Sequence, residues 1–74
     1  MKKECKFIRA DNMIYVPAPN SWLEGWVRQR WLERYFGIKI RIKSVSLEYW
    51  KSLLKNNKAF NLIYNNNTFS EEIL

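Results

Sequence analysis

The stretch Ser21-Trp-Leu-Glu-Gly-Trp-Val-Arg-Gln-Arg-Trp-Leu-Glu-Arg-Tyr-Phe-Gly37 carries the clearest start and stop signals in the chain. Ser21 and Glu24 have the spacing of a capping box, in which the serine hydroxyl accepts a hydrogen bond from the glutamate N–H and the glutamate side chain reaches back. Gly37 tolerates the left-handed conformation in which many helices end. The stretch therefore predicts a helix from about Trp22 to Phe36.

The segment that follows, Ile38-Lys-Ile-Arg-Ile-Lys43, alternates apolar and basic residues with a period of two. This alternation indicates a half-buried strand, because successive side chains of a strand point to opposite faces of the sheet. We expect the isoleucines to face the core and Lys39, Arg41 and Lys43 to face outward.

Residues 5–16 have the pattern of two short strands around Asp11-Asn12, a dipeptide that tolerates the positive φ angles of a tight hairpin turn. A two-residue turn at this dipeptide pairs Phe7 with Val16 and thereby fixes the register of the hairpin. The apolar side chains that then share the core-facing side are Cys5, Phe7, Ile14 and Val16.

The rest of the chain gives weaker signals. Ser46 caps a second helix over roughly 47–56, residues 60–64 are a candidate closing strand, and the tail at about 66–74 is expected to be loose. The sequence therefore predicts a single α+β domain over residues 1–74. Its expected order is β-β-α-β-α with an optional C-terminal strand, and its helices are expected to cover one face of an antiparallel sheet.

The composition excludes several classes of protein. The chain has 74 residues, no histidine and one cysteine, Cys5. A disulfide scaffold needs at least two cysteines, and a zinc finger needs a cluster of Cys and His. Serine or cysteine nucleophiles that depend on an imidazole base are excluded because the chain has no histidine. We therefore predict a non-enzymatic protein without a cofactor or a metal, and we expect Cys5 to fill the core.

The cellular location follows from the absence of targeting signals. No run approaches the roughly 18 consecutive apolar residues of a membrane helix. Residues 1–14 lack the apolar segment of a signal peptide. A chain with one cysteine is typical of a reducing compartment. We therefore expect a cytoplasmic protein with no membrane partner.

Charge is distributed unevenly along the chain. Lys and Arg number 13 against 7 Asp and Glu, which gives +6. Positions 1–58 hold all 13 bases and five acids, for +8, and positions 59–74 hold two acids, for −2. A basic body favours an anionic partner, either nucleic acid or an acidic protein surface, although small proteins also use net charge to stay dispersed.

The candidate nucleic-acid-binding cations fall into two sets. The first set is the outward row of the predicted strand, Lys39, Arg41 and Lys43. These residues lie about 6.6 Å apart, so a phosphate backbone can follow them, but lysines on a strand also guard against aggregation. The second set lies on the first helix, Arg28, Arg30 and Arg34. Guanidinium groups bind phosphate bidentately, but Glu24 and Glu33 lie at spacings that suit ordinary helix-surface ion pairs.

The apolar residues of the first helix fall into two sectors of the helical wheel. One sector follows an i, i+4 line of Leu23, Val27, Trp31 and Tyr35, and the other contains Trp22, Trp26, Leu32 and Phe36. A helix that packs through one surface leaves a sector in water, and exposed aromatic patches usually mark contact sites. We expect the second sector to form a protein interface. The alternative is a central helix that buries both sectors.

Two functions therefore compete. The leading hypothesis is a small binding protein that contacts nucleic acid, or a nucleoprotein complex, through phosphate-directed Lys and Arg. The rival is a protein-interaction module, such as a small inhibitor or accessory subunit of the size found among phage and mobile-element proteins, and homodimerisation through the same helix is compatible with either. Exposed tryptophans beside the basic strand would favour nucleic acid, and exposed tryptophans on the helix away from that strand would favour a protein partner.

Overall fold

The computed structural model describes residues 3–74 and contains one five-stranded sheet and two helices. The strands lie in the order β3-β2-β1-β4-β5. The pair β2–β3 is parallel and the other neighbouring pairs are antiparallel. The predicted α+β class is therefore confirmed. The elements are β1 (Lys3–Ala10), β2 (Met13–Pro17), α1 (Trp22–Phe36), β3 (Arg41–Val45), α2 (Leu47–Leu53), β4 (Ala59–Asn65) and β5 (Thr68–Ile73).

The serine cap and the glycine stop predicted at the ends of α1 are confirmed. The Ser21 hydroxyl accepts a hydrogen bond from the Glu24 N–H at 3.2 Å. At the other end Gly37 has φ +104°, and its N–H donates to the Glu33 carbonyl at 2.8 Å. A side chain at Gly37 would strain this backbone, since L residues rarely adopt such a φ.

Two hairpins build the antiparallel part of the sheet, and each turns on residues with positive φ. Asp11 and Asn12 have φ +52° and +60°, which confirms the first predicted turn. The second turn uses Asn66 and Asn67, with φ +54° and +64°. Both φ values are positive in each turn, as a type I′ hairpin turn requires.

The C-terminal tail expected to be loose forms β5 instead. This strand pairs with β4, and Tyr64 lies opposite Phe69 with their ring centroids 4.8 Å apart. Glu71 of β5 accepts hydrogen bonds from Arg9 at 2.8 Å and from the Tyr35 hydroxyl at 2.5 Å. Strand pairing and side-chain contacts to β1 and α1 therefore hold this segment in place.

The helices pack on opposite faces of the sheet, not on one face as expected. Leu32 of α1 packs with Phe7, whereas Trp50 of α2 packs with Ile8. Phe7 and Ile8 are consecutive in β1, so their side chains point to opposite faces. We call these the α1 face and the α2 face. The strands β2 and β3 can pair in parallel because α1 supplies the crossover connection that parallel strands need.

The predicted strand over residues 38–43 is shifted in the structure. The chain leaves α1 through a turn in which the Ile40 N–H donates to the Gly37 carbonyl at 3.2 Å. Strand β3 then begins only at Arg41 and runs to Val45. Ile38 is consequently 82% exposed, although the alternation predicted it in the core.

Candidate interaction surface

Large side chains stand in solvent along the outer side of α1 and just beyond its end. Trp22 is 81% exposed, Trp26 is 54% exposed and Ile38 is 82% exposed. Leu23 and the arginines beside these residues are exposed as well. We call this set the α1 outer surface. Its members are Trp22, Leu23, Trp26, Arg30, Arg34 and Ile38.

The outer surface is exposed because the opposite side of α1 packs against the sheet. Leu32 is fully buried there, and Tyr35 and Phe36 pack against the same core cluster. Near the start of the helix, a Cβ atom at Gly25 would come within 2.9 Å of Pro19 Cγ. Helix and preceding loop therefore approach closely at Gly25.

Both arginines of this surface lie against aromatic rings. The guanidinium of Arg30 lies over the Trp26 ring, with its carbon 5.1 Å from the ring centroid. The Arg34 guanidinium lies 6.0 Å from the centroid of Phe69 in β5. Cation–π contacts of this kind are attractive and limit the orientations of the arginine. The surface therefore presents an apolar centre with two positioned cations at one end.

The predicted protein-interface sector divides into an exposed half and a buried half. Trp22 and Trp26 are exposed, as an interface requires. Leu32 is 0% exposed, and the Phe36 ring packs edge-on against Phe7 at 5.2 Å. Leu32 is therefore a core residue and its assignment to the interface is wrong, whereas Phe36 is half-buried and packs against the core. The sequence assignment missed Leu23, which it placed in the other sector, and Ile38, which it placed in the core.

The predicted basic residues do not form one continuous surface. Arg30 and Arg34 lie on the outer surface, while Arg28 is half-buried beside the β1 residue Cys5. Lys39 lies in the turn before β3, so the predicted row of three cations on one strand does not form. Arg41 and Lys43 are exposed on β3 and share the α2 face with Val45, which packs in the α2-side cluster.

A cavity of about 360 Å³ lies between the first half of α1 and the start of β1. Its lining includes Cys5, Val27, Arg28 and Trp31. Burial raises the pKa of the Cys5 thiol from 9.0 to about 11, and the Arg28 guanidinium acts in the opposite direction. The predicted role of Cys5 as a core residue is thus confirmed, since the thiol is buried and held neutral.

The raised pKa gives a prediction for thiol labelling. At about pH 8, iodoacetamide should alkylate Cys5 in the folded protein on the order of 100-fold more slowly than in urea, because a shift of two pKa units lowers the thiolate fraction by that factor. The stability due to the neutral thiol is present below pH 9.0 and is lost as the pH rises toward 11. Equal labelling rates, followed by mass spectrometry, would show that Cys5 is not buried.

Residues 3–74 contain no cluster of three or more His, Cys, Asp or Glu side chains with the geometry to hold a metal ion. In the same residues no helix is long and apolar enough to cross a membrane. Comparison with protein-family models, with curated proteins and with solved structures finds no match to this chain.

Proposed function

We propose that this protein is a non-enzymatic protein-interaction module that docks through the α1 outer surface. The observation that carries the proposal is the exposure of Trp22 and Trp26 on one side of a helix whose other side is packed against the sheet. Contiguous exposed aromatic groups mark contact sites in small proteins, and tryptophan is enriched among residues that dominate binding energy. The size of the chain suits an inhibitor or an accessory subunit.

The aliphatic members of the surface favour a protein partner over nucleic acid. Leu23 and Ile38 flank the rings and are both exposed. Base stacking and phosphate binding use aromatic and cationic groups, so exposed leucine and isoleucine contribute little to either. A protein pocket, in contrast, gains from the burial of every apolar side chain.

The position of the strand cations supports the same choice. Arg41 and Lys43 belong to the α2 face, whereas Trp22 and Trp26 project from the helix on the α1 face. A single polyanion therefore cannot contact the strand cations and the rings through one flat surface. Exposed tryptophans on the helix, away from the basic strand, are the arrangement that favours a protein partner.

The arginines define the chemistry expected of the partner. Arg30 and Arg34 stand at the end of the surface closest to Ile38, beside the apolar centre. Arginine pairs bidentately with carboxylates, and charge complementarity speeds encounter and fixes orientation. The partner proposed is thus a protein that offers an apolar pocket for the two tryptophans, with Asp or Glu at one rim.

Binding of single-stranded nucleic acid is the second candidate, and one contact favours it. The Trp26 ring and the Arg30 guanidinium lie 5.1 Å apart, so a base stacked on the ring would bring its phosphate near a cation. Such binding would weaken steeply with salt and would be lost on Trp26→Ala.

A photocrosslinking experiment separates the two candidates. A benzophenone amino acid replaces Ile38 in one variant and Tyr49 in the control, since both side chains are exposed but Tyr49 belongs to α2 on the other face of the sheet. After irradiation in cells that contain the natural partner, we expect a discrete, nuclease-resistant protein adduct from position 38 only. Introducing Trp26→Ala beside the probe should abolish it.

Two results would overturn the proposal. Adducts of equal yield from positions 38 and 49 would show that the α1 outer surface has no special affinity. A nuclease-sensitive adduct, together with Trp26-dependent binding of a fluorescent oligothymidylate, would replace the protein partner with single-stranded nucleic acid.

A further inference from the structure

The sheet has two exposed edges, and they carry opposite charge. Strand β3 forms one edge and bears Arg41 and Lys43, while β5 forms the other and bears Glu71 and Glu72. All four of these residues are exposed along their strands. Charged side chains on edge strands repel a second copy of the same edge, so contacts of β3 with β3 or of β5 with β5 are disfavoured. The same charges favour contact of β3 with β5.

The backbone of β3 has groups that point away from the sheet. The Val45 carbonyl accepts a hydrogen bond from the Ala18 N–H at 2.7 Å, so Val45 directs its backbone groups toward the β2 side. Alternate residues of a strand direct these groups to opposite sides. Ile42 and Ser44 therefore turn their N–H and C=O groups outward.

The backbone of β5 is arranged in the same way. The Leu74 N–H donates to the Ala59 carbonyl at 2.9 Å, so Leu74 directs its backbone groups toward β4. By the same alternation, Glu71 and Ile73 direct theirs outward. Each edge thus offers at least two residues with outward backbone donors and acceptors.

Strand direction makes the two edges compatible. Following the sheet from β5 through β4, β1 and β2 to β3, three antiparallel pairs and one parallel pair leave β5 antiparallel to β3. A second copy placed edge to edge, with the same face upward, would therefore present its β3 antiparallel to β5 of the first.

A register with Ile73 opposite Ile42 of the second copy satisfies both the hydrogen-bonding pattern and the side-chain pattern. Placing Ile73 opposite Ile42 of the second copy joins residues whose outward backbone groups meet. The same register puts Glu72 opposite Lys43, and both belong to the α2 face, since Glu72 is paired with Asn61 next to Ala59 and Lys43 lies two residues from Val45. Ile73, which is exposed in the single chain, then meets an apolar partner.

We propose that copies of this chain associate head to tail, β5 of one with β3 of the next. The contact extends the sheet and pairs Glu72 with Lys43 and Ile73 with Ile42. It is heterologous, so it generates rings or open chains and not a closed two-fold dimer. It uses neither the rings nor the arginines of the α1 outer surface, and it stands whether or not the proposed function holds.

Charge reversal tests this contact. In sedimentation velocity at low salt, the wild-type protein should show a mean mass that rises with concentration. Lys43→Glu alone or Glu72→Lys alone should weaken association by about tenfold, because each places like charges opposite one another. The double variant, and an equimolar mixture of the two single variants, should associate like the wild type because each restores opposite charges.

The controls decide between this contact and others. Trp26→Ala should leave the association unchanged, and its loss in that variant would assign self-association to α1 instead. A wild-type protein that stays monomeric at every concentration would overturn the proposal. Single reversals that associate as well as the wild type would also overturn the proposal. Where a single variant does not associate alone, its association in the mixture shows that it is folded.

Discussion

Leu32→Ala is expected to unfold most of the protein at room temperature. Leu32 is the fully buried residue of α1 and packs in one cluster with Phe7 and Val16. Truncating a buried leucine costs about 2–5 kcal/mol, because transfer free energy is lost and a cavity remains. A core in a chain of this size rarely supplies more than about 3–5 kcal/mol in total. The cost is therefore comparable to the whole free energy of unfolding.

Trp22→Ala is the matched control, since it removes a larger side chain from the same helix. Trp22 is 81% exposed, so its truncation should change the free energy of unfolding by less than about 0.5 kcal/mol. Urea titration followed by far-UV circular dichroism measures both variants. Equal destabilisation by the two substitutions would mean that Trp22 is packed, and would remove the main support for the α1 outer surface.

Trp26→Ala is expected to reduce affinity for the protein partner by about 30-fold or more. Truncating a tryptophan at the centre of an interface typically costs about 2 kcal/mol or more, which corresponds to that factor. Trp26 lies at the centre of the surface, with Leu23 on one side and Arg30 on the other. The fold of the Trp26→Ala variant should be unchanged, because the Trp26 side chain is more than half exposed.

Titration calorimetry with the partner recovered through position 38 measures this loss of affinity. Two further variants are compared with Trp26→Ala. Tyr49→Ala removes an exposed ring from α2 and should leave affinity within about twofold of the wild type. Arg30→Ala should reduce the affinity less than Trp26→Ala does at high salt. The loss of affinity caused by Arg30→Ala should be larger at low salt than at high salt, because salt screens the ion pair of Arg30. A Trp26→Ala variant that binds as tightly as the wild type would place the partner elsewhere.

Local signals in the sequence predict the elements whose ends are set by single residues. Ser21 and Gly37 delimit α1 to the residue, since a cap and a left-handed glycine act within one turn. Asp11-Asn12 likewise fixes the first hairpin and its register. These features depend on backbone conformations that neighbouring residues determine by themselves.

The elements that depend on distant contacts are less predictable. Alternation over residues 38–43 gives the right period but the wrong start, because the turn after Gly37 uses residues 38–40 before pairing with β2 begins. β5 contains Glu71 and Glu72 and reads as a polar tail. It is held by pairing with β4 and by bonds from Arg9 and Tyr35, which lie far away in the sequence.

The candidate site shows the same division. A helical wheel identifies two apolar sectors on α1 but not the direction of the sheet, which is set by the crossover from β2 to β3. The sheet faces the side that carries Leu32 and Phe36, so one predicted sector contains both core and surface residues. Ile38 joins the surface only because β3 starts late. The tryptophans were predictable as candidates, and their exposure was not.

The yield of protein adduct from the benzophenone at position 38, measured with Trp26 intact and in the Trp26→Ala variant, tests whether the α1 outer surface is the docking surface. The α1 outer surface, if it is the docking surface, gives a discrete nuclease-resistant adduct with Trp26 present. The adduct is then absent or at least about tenfold weaker after the Trp26→Ala substitution. An adduct whose yield does not depend on Trp26, or one that forms equally from position 49, would show that the partner does not dock on this surface.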